Sequence, residues 1–251
     1  MTHRTIYHLM NENVIMALTG LKKTISLLSI TAVSIFTAAT SFAMSPFQAS
    51  YDFSYNGKNL GSATRVLTQT GNQWKYSFTA KAGGIASASE VSQFSFNQGK
   101  ITSQNFTRTS KILVHNNTLN IKFNPNSKTI QTKKDDKARS FAWQSGVLDE
   151  LNAELQVRED LKKAALKGSY LIADAKEVEA RRFVKAGTEK VKTDYGSFDT
   201  VKVIIQHQKP NRSTTFWLAP TLDYLPVKVS HQDGSTSYGL NLKSYQGPTN
   251  K

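Results

Sequence analysis

Apolar and polar residues alternate along most of the chain after residue 44. The first such stretch carries Phe47, Tyr51 and Phe53 between polar or small residues and stops at Asn56-Gly57. A period of two residues is that of a β-strand with one buried face, and Asn-Gly is a turn signal. Similar stretches follow at short intervals, separated by segments rich in Gly, Asn and Pro. This pattern predicts an antiparallel meander of short strands.

One segment breaks the alternation. Between residues 147 and 167, Leu148, Leu151, Leu155 and Leu161 fall largely at helical spacing, with Glu and Lys between them. The apolar stripe is narrow, so we expect this helix to lie against one face or one end of the sheet. The predicted fold is mainly β (α+β): an antiparallel meander forming a curved sheet, half-barrel or barrel, with one main helix around 147–167.

The first 43 residues are typical of a secretory signal peptide. Lys22 and Lys23 precede an apolar run without charges, and Ser41 and Ala43 are small residues at the positions that signal peptidase recognises. The residues before Met16 are mixed and polar, unlike the start of a signal peptide. We therefore expect translation to start at Met16 and cleavage to follow Ala43.

Residues 44–251 are then expected to form a single β-rich domain, free in the periplasm. No segment after the signal peptide is apolar over a length that spans a bilayer. The chain contains no Cys, which excludes disulfides, thiolate chemistry and the Cys-linked lipid anchor of lipoproteins.

The chain is strongly basic. It has 32 Lys and Arg residues against 18 Asp and Glu, a net charge of +14, and the part after Ala43 keeps +12 because residues 1–43 hold three basic residues and one acidic residue. Such a charge attracts phosphorylated lipid headgroups, lipopolysaccharide and acidic glycans. Nucleic acid is not an expected partner in the periplasm.

The last third of the chain carries a recognisable succession of motifs. Tyr195-Gly196-Ser197-Phe198-Asp199 is followed by Thr215-Phe216-Trp217-Leu218-Ala219-Pro220 and by Tyr224-Leu225-Pro226-Val227. This succession resembles the family of exported bacterial proteins classed as domain of unknown function 3108, and the Phe-Trp-Leu-Ala-Pro element is its most specific part. The resemblance implies export and a β-rich fold. It implies no catalytic residue and no activity.

No catalytic, cofactor or metal motif stands out. The chain lacks a Gly-x-Ser-x-Gly elbow, and its serines lie in alternating strands. Three histidines follow the signal peptide, His115, His207 and His231, and none has the local spacing of a metal ligand pair. His207 and His231 each lie near a strand end and could be neighbours across the sheet. The prediction is therefore no catalytic residue, no metal and no cofactor.

Two features remain as candidate site residues. If the sheet encloses a cavity, Trp74, Tyr76, Phe78 and Trp217 are the aromatic residues expected to line it. Glu90 lies among small and apolar residues and is a candidate buried charge, for which an ion pair with a Lys or Arg is the simplest partner.

Three functional hypotheses stay open. Export, basic charge and strands that are apolar on both faces favour a non-catalytic soluble periplasmic protein that binds an envelope component, either a lipid or an acidic glycan. The alternative is an assembly or interaction factor that holds another envelope protein by a strand edge or a basic face. A second alternative is a hydrolase of polysaccharides or esters, which a cleft with two facing carboxylates would favour.

Overall fold

The computed structural model of the protein describes residues 44–84, 86–113, 115–207 and 209–250. They form one antiparallel sheet, one α-helix and a short 3₁₀ helix. The elements are β1 Phe47–Tyr55, β2 Lys58–Thr70, β3 Gln73–Ala82, β4 Ala86–Asn97, β5 Lys100–Ile112, β6 His115–Asn124, β7 Thr129–Lys134, β8 Lys137–Ala142, α1 Glu150–Lys162, β9 Ser169–Ala173, β10 Val178–Lys192, β11 Ser197–Gln206, β12 Arg212–Ala219, the 3₁₀ helix Pro220–Leu222, β13 Leu225–Asp233 and β14 Thr236–Gln246.

The 14 strands lie side by side in the order β8-β7-β6-β5-β4-β3-β2-β1-β14-β13-β12-β11-β10-β9. Strands that follow one another in the chain are neighbours, except β8 and β9, which lie at opposite ends of the sheet. The first and last strands, β1 and β14, also pair, with Gln48 opposite Gln246. The sheet is curved but not closed, because its two end strands, β8 and β9, do not pair with each other in the described residues. The predicted mainly β fold, with a curved antiparallel meander and one helix, is confirmed.

Helix α1 begins later and ends earlier than the sequence pattern predicts. Asp149 is the N-cap, and its side chain accepts a hydrogen bond from the Asn152 N–H at 2.9 Å. An N-cap carboxylate satisfies a backbone donor that has no partner within the helix. Lys163 ends the helix, and its N–H donates to the Asp160 carbonyl.

The helix is buried on all sides rather than on a narrow stripe. Every residue from Leu151 to Leu161 is buried, including Asn152, Glu154 and Gln156. Side chains from β2, β5 and β9 form hydrogen bonds with the helix, and a side chain from β4 forms one with its N-cap. The expectation of a helix against one face or end is thus sharpened: the sheet curves so that one of its faces, called here the helix-side face, wraps round α1.

The helix-side face carries the core. Opposite residues of antiparallel neighbours project to the same side, so the register traces one face from strand to strand. Tyr76 lies opposite Leu67 and Ser92, and Leu67 lies opposite Phe47. All four side chains are buried. The residues between them along each strand project from the other face of the sheet, called here the outer face.

One glycine is fixed by close backbone approach. A Cβ at Gly61 in β2 would lie 1.9 Å from the carbonyl oxygen of Lys81 in β3. That separation is far below any contact distance, so only glycine allows the two strands to pair there.

Candidate functional site

The register separates the four aromatic residues predicted to line a cavity. Trp74, Tyr76 and Phe78 all project from the helix-side face of β3, whereas Trp217 lies opposite Lys202 and Lys228 on the outer face. Trp74 and Tyr76 are buried in the core, and Phe78 is half-buried against it. Trp217 therefore does not share a surface with the other three.

Trp217 is enclosed by charged side chains. Its indole N–H donates to Glu189 Oε2 at 2.8 Å. The Nζ atoms of Lys228 and Lys202 lie 4.6 Å and 5.3 Å from its ring centroids. Cations over an indole face are stabilised by the ring quadrupole, so this part of the outer face is a packed structural cluster.

Between the helix-side face and α1, a charged network joins the helix to β2 and β3. Arg65 forms an ion pair with Glu154, and its Nη1 donates to the Tyr76 hydroxyl at 2.7 Å. The Tyr76 hydroxyl donates in turn to Glu154 Oε1 at 2.9 Å. Burial raises the pKa of Tyr76 well above its usual range. Burial alone would lower the pKa of Arg65, but the Glu154 carboxylate raises it, so the guanidinium stays charged.

A second network surrounds the start of the helix. The Asp149 carboxylate accepts hydrogen bonds from Ser92 Oγ at 2.6 Å and from Asn152 Nδ2 at 2.7 Å, besides the Asn152 N–H. Asn152 also donates to Ser103 Oγ at 2.8 Å. Burial raises the pKa of Asp149 to about 6 in spite of these donors. Both networks lie between α1 and the helix-side face of the sheet.

Beside the N-terminus of α1 lies a partly open group of charged residues that we call the mouth cluster: Glu90, Arg108, Glu150, Glu179 and Arg181. Arg108 Nη1 lies 2.7 Å from Glu150 Oε2 and 4.0 Å from Glu90 Oε1. Arg181 Nη1 lies 2.7 Å from Glu150 Oε1, and Arg181 also pairs with Glu179. Glu90 lies opposite Phe78 in β3 and therefore projects from the helix-side face, and its side chain is 19% exposed.

The pKa values of two carboxylates in the mouth cluster, Glu90 and Glu150, are shifted in opposite directions. Burial, reinforced by the negative charge of Glu150, raises the pKa of Glu90 to about 7. Burial alone would raise the pKa of Glu150 too, but Arg108 and Arg181 lower it below its usual value. At neutral pH the pair therefore contains one ionised carboxylate and one that is partly protonated, a division of roles that acid–base chemistry requires.

Two of the histidines meet across the sheet, as their positions near strand ends suggested. His207 Nε2 and His231 Nδ1 both bond to Thr214 Oγ1, at 3.0 and 2.7 Å. Burial and the nearby Arg212 lower the pKa of His207 to about 4 and lower that of His231. Both imidazoles are therefore neutral near pH 7.

The outer face of β4–β8 forms an open groove of about 820 Å³. Its floor consists of two cross-strand rows of side chains, which run Gln93-Asn105-Lys122-Gln131-Ser140 and Thr107-Asn120-Lys133-Ala138. Amide and hydroxyl groups dominate, and both lysines are exposed. Within the rows, Asn105 donates to Gln93 at 3.1 Å and Thr107 donates to Asn120 at 3.0 Å. Most of the polar groups remain available to a ligand.

The described ranges contain neither of two kinds of feature, metal sites and membrane-spanning helices. No group of three or more His, Asp or Glu side chains there could hold a metal ion. Nor does that part of the chain contain a helix long and apolar enough to cross a membrane.

A long antiparallel sheet curved around one buried helix defines a β-barrel-like protein. Within that class, the chain belongs to the family described as Protein of unknown function (DUF3108), whose model matches residues 50–241. The resemblance seen in the sequence motifs is thereby confirmed.

The comparison with solved structures gives one likeness in fold at low sequence identity. The chain is similar to the β-barrel-like protein of domain of unknown function DUF1849 from Brucella abortus, with a TM-score of 0.54, 12% identity and coverage of 81% of this chain and 98% of that one. A candidate lipoprotein from Parabacteroides distasonis ATCC 8503 matches with a TM-score of 0.34, 10% identity and coverage of 81% and 96%. The first likeness supports the fold alone. No curated protein sequence matches the chain.

Proposed function

We propose that the protein is an exported, soluble periplasmic protein that binds an acidic glycan of the cell envelope without catalysis. The observation that carries this proposal is the groove of about 820 Å³ on the outer face of β4–β8. Its two rows of amide and hydroxyl side chains match the hydrogen-bonding groups of a sugar chain, and Lys122 and Lys133 complement carboxylate or phosphate substituents.

The position of α1 favours a glycan over a lipid. The sequence left both ligands open because an empty barrel would offer a lipid cavity. The concave side of the sheet instead holds a helix whose residues 151–161 are all buried. A lipid on that side would have to displace Glu154 from Arg65 and Asp149 from Ser92, leaving buried charges without partners. The outer groove accepts a ligand without such a loss.

Export rests on the signal-peptide pattern of residues 1–43, which lie outside the described residues. The basic charge of the remaining chain supports an anionic ligand, since the excess of Lys and Arg raises the local concentration of polyanions. The periplasmic location can be tested by fractionating cells that express the full chain and by N-terminal sequencing of the product, with Met44 expected as its first residue.

Binding can be tested by titrating the purified, isotopically labelled protein with an oligogalacturonate and, separately, with a neutral maltooligosaccharide. The acidic sugar should shift the amide resonances of Asn105, Asn120 and Gln131, and the neutral one should not. Lys122→Gln combined with Lys133→Gln should weaken binding at least about tenfold, because two charge-assisted contacts are lost. Lys185→Gln, an exposed lysine on β10, is the matched control. Shifts confined to another surface would refute the proposal.

The mouth cluster favours a second candidate function, hydrolysis of a glycosidic bond. Glu90 and Glu150 each lie within 4.0 Å of the same Arg108 nitrogen, so they are no farther apart than the roughly 10 Å that glycosidase carboxylates span. Glu90 would protonate the leaving oxygen and Glu150 would act as the ionised partner. Incubation with oligosaccharides should then release reducing ends, with loss of that activity in Glu90→Gln. Turnover equal in protein and variant would remove this candidate.

A further inference from the structure

The two end strands of the sheet differ in whether their outer edges are covered. The outer edge of β9 is covered by the segment before α1: the Leu148 N–H donates to the Leu171 carbonyl at 2.9 Å, and the Ala173 N–H donates to the Leu148 carbonyl at 2.8 Å. β8, at the other end, pairs with β7 alone among the described strands. Its outer edge therefore presents backbone groups with no strand beside them.

The hairpin geometry shows which backbone groups these are. Asp135 and Asp136 connect β7 and β8, with Lys134 opposite Lys137. In such a hairpin the closing pair exchanges hydrogen bonds, and every second pair does so after it. The Trp143 N–H donates to the Lys128 carbonyl at 2.9 Å, which continues the same alternation beyond the strand.

The residues between these bonded pairs are Ala138, Ser140 and Ala142, and their N–H and C=O groups point away from β7. All three residues are exposed, and their side chains are small. Among the described residues, an arriving strand would therefore meet only small, exposed side chains on that face. The edge has neither a proline nor a β-bulge, two of the devices that normally block strand addition.

The charge of the edge selects the partner. Lys137 and Arg139 alternate with the small residues and project from the opposite face, where both are exposed, although Arg139 Nη1 also lies 3.4 Å from the Ala175 carbonyl. The acidic residues of this hairpin, Asp135 and Asp136, lie in the turn, beyond the edge. Carboxylates opposite Lys137 and Arg139 would stabilise a pairing, because opposite charges across a sheet attract.

We propose that the outer edge of β8 is a docking site for an extended acidic segment of another protein, which adds to the sheet as a further strand. Main-chain hydrogen bonds from Ala138, Ser140 and Ala142 provide the attachment, and Lys137 and Arg139 provide the selection. A second copy of this chain is a poor partner, because pairing β8 with itself brings the basic residues of both copies together.

The test uses two synthetic peptides of about ten residues, a length typical of long strands. One alternates Thr and Glu, and the other alternates Thr and Lys. The acidic peptide should bind the purified protein and slow hydrogen exchange of the Ser140 and Ala142 amides at least about tenfold, since a paired N–H is protected from solvent. The basic peptide should do neither.

Ser140→Pro removes an outward N–H and places a ring in the path of the arriving strand, so it should abolish binding. Ser140→Ala keeps the N–H and should bind as the unmodified protein does, which separates the backbone bond from the hydroxyl. Should Ser140→Pro fail to fold, Ala142→Pro tests the same edge nearer its end.

Three results would overturn the proposal. The first is binding of the acidic peptide without protection of the β8 amides, which indicates a general electrostatic contact. The second is equal binding by a proline variant that remains folded. The third is a protein that dimerises through β8 in solution, with the same amides protected and no peptide bound, which makes a second copy the occupant.

Discussion

The buried ion pair between Arg65 and Glu154 should dominate the stability of the contact between the helix and the sheet. The two side chains are 6% and 8% exposed, and Tyr76 is hydrogen-bonded to both. Glu154→Gln keeps an oxygen that can accept a hydrogen bond from the Tyr76 hydroxyl but removes the charge that neutralises Arg65. Arg65→Met removes the opposite charge and keeps much of the side-chain volume.

Each single variant leaves one uncompensated charge in the interior. Breaking a buried pair in this way costs about 3–5 kcal/mol, whereas replacing both partners by neutral groups is often nearly neutral. We therefore expect each single variant to lose about 3–5 kcal/mol of unfolding free energy. The double variant should lose clearly less than the sum, with a coupling of at least about 2 kcal/mol.

Urea unfolding followed by circular dichroism and tryptophan fluorescence measures all four proteins of this cycle. Arg158→Met provides a second cycle with Glu154→Gln. Arg158 lies one helical turn from Glu154, but its Nε donates to the Asp223 carbonyl and its guanidinium lies 4.9 Å from the Phe47 ring centre. That cycle should show a smaller coupling. Additive losses for Arg65 and Glu154 would refute the inference that the two charges neutralise each other.

Three further predictions concern other parts of the fold. Burial raises the pKa of Glu90 from 4.5 to about 7. Between these two pH values the folded chain therefore keeps a proton that the unfolded chain releases. The free energy of unfolding should fall by up to about 3 kcal/mol as the pH rises through this range. In Glu90→Gln, unfolding free energies measured across this range should lose that slope, and an unchanged slope would assign it to another group. Gly61→Ala should lower the melting temperature strongly because its Cβ meets the backbone of β3, while Gly168→Ala, with open space at that position, should have little effect; equal effects would contradict the steric argument. Asp149→Ala removes the helix N-cap and leaves buried donors unpaired, which should cost about 2–4 kcal/mol in urea unfolding, and an unchanged unfolding midpoint would show that the cap is dispensable.

The alternation of residues predicted the sheet because each strand has one buried face. Phe47, Tyr51 and Tyr76 stand at alternate positions of their strands and are buried, so local pattern and long-range packing agree. The family resemblance added no site but pointed to the same fold. The matched family model confirms the family membership.

The environment of the helix could not be predicted from the local pattern. Glu154, Gln156 and Asp160 made one side of the segment look solvated, yet all three are buried. The partners of Glu154 and Gln156 come from strands far away in sequence: Arg65 lies 89 residues before Glu154, and Ile101, whose N–H donates to Gln156, lies 55 residues before it. No window of neighbouring residues contains that pairing, so sequence reasoning missed Arg65 and Glu154 altogether.

Which side chains share a surface in the candidate site also depends on the strand register, which the local sequence does not contain. Trp217 and its neighbours are apolar on both faces of their strand, which gave no indication of the side to which the indole projects. Its opposition to Lys202 and Lys228 decides that question. The groove was missed because its polar side chains are unremarkable individually and form a surface only when five strands align them.

The pairing of β1 with β14 gives the molecule an unusual folding problem. All other neighbouring strands of the described sheet are also neighbours in sequence and can form as hairpins, one after another. Only the contact between Gln48 and Gln246 requires the first and last strands to find each other across nearly the whole chain. The loop-closure entropy of that step is therefore the expected kinetic bottleneck. Connecting β14 to β1 covalently and opening the chain at a distant turn would convert the slowest pairing into an ordinary hairpin.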